Sequence, residues 1–154
     1  VTSYPTWESS RPTLHPADEA GVAWLARQLE LLPATNQVVA PLAVGNHIDH
    51  RLTRQAAERV FGADLLYYED YPYSEGDGAV TAVLRPSPDH WQSDNIKLTA
   101  RAVEAKIEAI WTYASQRSTF FASRQDVENQ IRNAAGQIGG ERLWRLNSAQ
   151  HKIG

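Results

Sequence analysis

Three residues able to do chemistry fall within four positions of this chain: His47, Asp49 and His50. Neutral imidazole is a common metal ligand and the side chain best suited to moving a proton near neutral pH. A nearby carboxylate can set the tautomer of a histidine and raise its basicity. His47 and His50, three apart at a predicted helix start, can project toward one point, with Asp49 close enough to orient one of them. The bland alternative is a pair of solvated loop histidines with Asp49 capping the helix. Location favours chemistry, because the stretch follows a predicted buried strand and loops on rigid elements carry most sites.

A second polar cluster is Glu69-Asp70-Tyr71-Pro72-Tyr73. Two carboxylates beside two phenols can line a polar substrate pocket, which makes Glu69, Asp70 and Tyr71 candidates for substrate contact. They can equally fix a histidine. Read structurally, Tyr67, Tyr68, Tyr71 and Tyr73 are sheet and core aromatics with their hydroxyls at the surface. His15, His90 and His151 read as surface residues, and so does Arg85. Trp111, Tyr113, Phe120 and Phe121 read as core residues of the last two helices.

These clusters need elements to hold them. Val22, Leu25, Leu29 and Leu32 recur at helical spacing, so a helix is predicted over 17–32, opened by Pro16 and closed by Pro33. Residues 37–42 form a short, nearly unbroken apolar run that reads as a buried strand of a parallel sheet. A helix over 49–60 follows, stopped by Gly62. Residues 65–69 read as a strand and 79–84, by weak alternation, as another. A long helix is expected from Ser93 or Asp94 to about Ser115, with Val103, Ile107, Ile110, Trp111 and Ala114 facing the core. A further helix over 124–135 and a last strand over 141–146 complete the pattern. Alternating helices and strands predict an α/β layer with a mostly parallel sheet. Both polar clusters directly follow predicted strands, and ligands in such sheets sit beyond the strands' carboxyl ends.

Composition narrows the function classes. A chain of 154 residues can form one domain with a sizeable core. The net charge of −3 offers no general attraction to nucleic acid or an anionic membrane, so neither is expected as a partner. With no cysteine, a metal would have to be held by His, Asp or Glu. Absence of cysteine also suits a cytoplasmic setting. No apolar run has membrane-spanning length.

The motifs together resemble a known family. Pro41-Leu42-Ala43-Val44-Gly45-Asn46-His47-Ile48-Asp49-His50-Arg51, followed by Tyr68-Glu69-Asp70-Tyr71-Pro72-Tyr73, is similar to the second half of the PIG-L/LmbE-like de-N-acetylases. The run from Lys106 to Gln116, and Gly139-Gly140-Glu141-Arg142 with Trp144, resemble that family's C-terminal pattern. The resemblance covers about Leu14 to Leu146. It implies a Rossmann-like fold and zinc-dependent hydrolysis of N-acetyl groups on a small amino sugar or related amine. It also implies that His50 binds zinc. His47 then acts beside the metal, as general acid or as stabiliser of the tetrahedral intermediate, and Asp49 supports His47.

The family's N-terminal Ala-His-Pro-Asp-Asp motif has no counterpart here. Leu14-His15-Pro16-Ala17-Asp18 opens a helix rather than following a strand. One histidine cannot make a catalytic zinc site, which takes about three protein ligands. The chain, 1–154, is therefore expected to be the C-terminal part of such a deacetylase domain, with zinc's other ligands elsewhere. A homodimer or an N-terminal fragment is expected to cover the sheet edge left open. The alternative expectation is a non-catalytic α/β binding or assembly protein with a degenerate pocket.

Overall fold

The computed structural model describes residues 16–84 and 88–147. The expectations for His15, Arg85 and His151, and for the segment before Pro16, lie outside these residues. Among the described residues ten α-helices and strands follow one another. They are α1 (Glu19–Glu30), β1 (Val38–Pro41), α2 (Ile48–Phe61), β2 (Leu65–Tyr68), α3 (Ala79–Leu84), β3 (Trp91–Ile96), α4 (Ala100–Thr112), α5 (Arg117–Phe120), α6 (Arg124–Ile138) and β4 (Glu141–Leu146). Helices alternate with a four-stranded sheet of order β1-β2-β4-β3, so the α/β class read from the sequence holds.

The chain divides into two compact units. Among the described residues, one holds those up to Ser93 and those from Trp144 to Asn147; the other runs from Asp94 to Leu143. In the first, β1 and β2 pair in parallel, with Val38 opposite Leu65 and Pro41 opposite Tyr68. The ladder continues one step further, where the Leu42 N–H donates to the Tyr68 carbonyl at 2.9 Å. Both strands end at the same edge, so residues 43–47 and 69–73 leave the sheet side by side.

Beneath that edge lies a core of Ala40, Leu42, Val44, Ala57, Leu65, Tyr67 and Leu84, with Trp91 and Trp144 packed against it. Helix α1 lays Val22 and Ala26 on Ala56 of α2, as their helical spacing requires. In the second unit α4 and α6 pack together, and Ile107, Val127 and Ile131 are fully buried. No helix among the described residues is long and apolar enough to cross a membrane.

Several elements differ from the sequence reading. Residues 79–84 form helix α3, not a strand. The alternation there was weak, and Val80, Val83 and Leu84 also satisfy the i, i+3, i+4 spacing of a helix face. Residues 91–96 form a strand where a loop and then a helix were expected. The long helix begins at Ala100, capped by the Thr99 hydroxyl, which accepts from the Ala102 N–H at 3.2 Å. The core assignment for the aromatics near 111–121 holds for Phe121 alone: Tyr113 is 68% exposed and Phe120 is exposed too, while half-buried Trp111 lies under the Arg117 guanidinium.

Candidate active site

The turn from β1 into α2 carries the first histidine. It is built from left-handed residues: Ala43 at φ 60°, Gly45 at φ 79° and Asn46 at φ 61°. At Gly45 this conformation coincides with crowding, because a Cβ there would lie 2.5 Å from the Tyr73 ring. Gly45→Ala is therefore expected to cost at least about 2 kcal/mol, combining backbone strain with overpacking. Urea unfolding monitored by far-UV circular dichroism measures it, and an unchanged midpoint would show that the Tyr73 ring can give way.

The turn ends on His47, the N-cap of α2. Its Nδ1 accepts a hydrogen bond from the Asp49 backbone N–H at 3.3 Å. A neutral imidazole that accepts at Nδ1 carries its hydrogen on Nε2. His47 thus presents a hydrogen-bond donor outward. The Asp49 carboxylate, 78% exposed, lies 3.8 Å from Nδ1, beyond hydrogen-bond reach. The hydrogen bond from Asp49 to His47 thus comes from its main-chain N–H and not from its carboxylate.

His50 follows on α2, its ring centroid 5.4 Å from that of His47. The projection toward one point is realised. Its Nδ1 lies 2.7 Å from Oδ1 of Asp70. Among the described residues neither atom has another hydrogen-bond partner. Asp70 is 1% exposed, and its other oxygen, Oδ2, accepts from the Val44 N–H at 2.8 Å. One buried carboxylate thus fixes the turn before α2 and the second histidine on it. The Asp70 hydrogen bond raises the His50 pKa above its ordinary value, and burial opposes this; the charges of Asp70 and Asp49 add to the rise.

Asp70 therefore faces a histidine and a backbone amide, with no open side for a substrate. For Asp70, of the two readings of this cluster, fixing a histidine is the one its geometry matches. Glu69 accepts from the Trp144 indole N–H at 2.7 Å. Tyr71 is half-buried beside it. Tyr73, the second phenol of the cluster, meets the His50 ring edge-on, with centroids 6.0 Å apart. The surface placement of the phenol hydroxyls fails at Tyr67. That residue is buried, and its hydroxyl donates to Glu58 at 3.1 Å.

A histidine whose ring nitrogen rests on a carboxylate is the usual outer arrangement of a metal ligand. His50 with Asp70 fits one such position. Among the described residues, however, no three His, Cys, Asp or Glu side chains come together as a metal-binding group. These residues alone do not fit a catalytic zinc ion, which takes about three protein ligands.

No family model matches the chain. It is 29% identical over 117 residues to 2'-N-acetylparomamine deacetylase of Streptomyces fradiae, an alignment spanning 73% of this chain and 39% of that protein. Its fold is similar to that in the crystal structure of the zinc-inhibited form of teicoplanin deacetylase Orf2. There the TM-score is 0.62 with 23% identity, covering 94% of this chain and 60% of the other. Both proteins are LmbE/PIG-L family deacetylases. The resemblance read from the motifs is the one both comparisons return. The chain spans 39% of the first of these proteins and 60% of the second, less than two thirds of each.

Proposed function

We propose that this chain is part of an N-deacetylase, an amide hydrolase that releases acetate from an N-acetylated amino sugar or related small amine. The observation that carries the reading is the pairing of two histidines at the carboxyl edge of a parallel β1–β2 pair, one of them seated on a buried carboxylate. Similarity to a deacetylase named for 2'-N-acetylparomamine supports the substrate class.

In this reading zinc is the metal, with His50 as one ligand and the remaining ligands supplied by residues other than those described. His47 directs its Nε2–H at the oxygen that gains charge as the amide is attacked. A fixed donor acts where charge develops, and it needs no reorganisation at that moment. Glu69 and Tyr71 lie at the same edge and are the proposed contacts for substrate hydroxyls. Asp70 acts through His50.

Acetate release from N-acetylated amino sugars by the zinc-loaded protein tests the reading. Turnover that is abolished by a chelator and restored by zinc is expected. Saturable sugar binding with no acetate released would overturn it in favour of the non-catalytic binding protein.

A further inference from the structure

Arg54 lies one turn after His50 on α2, and no reading above uses it. Its Nη1 donates to the Leu42 carbonyl at 2.8 Å, and its Nε donates to Glu58 at 2.8 Å. Its guanidinium carbon lies 5.0 Å from the Tyr67 ring centroid and 5.7 Å from that of Trp91. Those two rings meet edge-on at 5.3 Å. Glu58 also accepts from the Tyr67 hydroxyl. Burial, then the Glu58 charge, pushes the Tyr67 pKa up, so the hydroxyl stays a donor. A planar cation is thus held against two aromatic rings and one carboxylate, and aimed at one backbone oxygen.

That oxygen belongs to Leu42, the residue before the left-handed turn of Ala43, Gly45 and Asn46. Non-glycine residues adopt this conformation at a cost and keep it only where the surroundings over-determine it. Three anchors do so here. Leu42 N–H is tied to Tyr68, Val44 N–H to Asp70, and Leu42 C=O to Arg54. Asp70 also holds His50, whereas the hydrogen bonds and ring contacts of Arg54 described above involve neither histidine.

We propose that Arg54, through the Leu42 carbonyl, is a positioning residue for His47: it holds the turn that presents this histidine with Nδ1 on the Asp49 amide. The guanidinium is needed for its shape as well as its charge, since two donors must meet two acceptors while the flat faces stack. The catalytic consequence rests on the function proposed above; the structural one does not.

Arg54→Lys and Arg54→Gln, made in this chain with nitrogen-15 in the imidazole rings, test it. In the parent, His47 is expected to hold its hydrogen on Nε2 at a pH where the ring is neutral. In Arg54→Gln that preference should fall about fivefold, the loss expected when a capping bond of ordinary strength is no longer held. Arg54→Lys should fall between the two. Tyr67→Phe, which removes one hydroxyl and keeps the ring platform, should lower stability and leave the His47 tautomer unchanged. A folded Arg54→Gln or Arg54→Lys with the parent ratio overturns the proposal. Should neither fold, solvent exchange of the Arg54 N–H protons in the parent decides: slowed exchange supports the strut, and free exchange overturns it. In the whole enzyme, Arg54→Lys should lower kcat about tenfold with KM and zinc content unchanged, a misplacement effect. A shifted tautomer in a protein that releases no acetate leaves the positioning role standing and removes the deacetylase reading.

Discussion

His47→Ala in the zinc-loaded enzyme is expected to lower kcat by about 10²–10³-fold, the usual cost of one donor to a developing oxyanion. KM and bound zinc should stay near the parent values. His50→Ala should instead abolish zinc binding, and activity should fall with it. The two histidines are three residues apart and their rings are 5.4 Å apart. In the proposed function their different environments suit them to different work. His50 has Nδ1 on the buried Asp70, which leaves Nε2 as the ring atom for a metal. His47 has Nδ1 on the Asp49 N–H, which leaves Nε2 as a donor in the neutral ring. Metal content by atomic absorption beside steady-state kinetics separates the two. Full zinc occupancy in the His50 variant would sink the ligand assignment.

Asp49→Asn is the companion variant. It keeps the main-chain N–H that bonds His47, so kcat should remain within about threefold of the parent, less than one ordinary hydrogen bond is worth. A loss as large as that of His47→Ala would return the supporting role to the carboxylate.

Asp70→Ala is expected to destabilise the chain by about 3 kcal/mol, the cost of breaking a buried pair by removing one partner. Two groups lose their acceptor at once: the Val44 N–H at 2.8 Å and the His50 Nδ1 at 2.7 Å. The carboxylate is 1% exposed, so water does not simply replace it. Zinc affinity of the whole enzyme should fall about 10–100-fold, as for other outer partners of a ligating histidine. Asp70→Asn keeps the shape and one acceptor oxygen, and should recover part of the stability. Urea denaturation of the three forms, with zinc titration of the whole enzyme, measures both effects. A stability change under about 1 kcal/mol for the alanine variant would mean that Val44 and His50 find other partners.

How much of this was legible beforehand depends on whether the deciding interactions are local. Helices α1, α2 and the body of α4 were read from their apolar spacing because a helix buries one face, and that period is written in consecutive residues. Strand β4 was read with its bounds intact, and β1 and β2 to within two residues. His47 and His50 were readable as a pair because a helix start brings positions three apart onto neighbouring faces.

Strand β3 was not readable. Trp91-Gln92-Ser93-Asp94-Asn95-Ile96 is exposed after its first residue, so it carries no alternation, and its place at the end of the sheet order is set by β4. Helix α3 was misread because six residues are too few to separate a period of two from one of 3.6.

The sequence by itself thus determined the α/β layering, the His-x-Asp-His stretch at a strand end, and the family it resembles. Tertiary structure alone decided which partner each polar group meets. Asp70 is 20 residues from His50 and 26 from Val44, yet serves both; the parallel register of Pro41 on Tyr68 brings the two turns together. The same holds for the choice between the Asp49 carboxylate and its amide as the partner of His47. Side-chain type shows which bonds are available, but only the folded backbone, with its left-handed turn held at both ends, selects the one that forms.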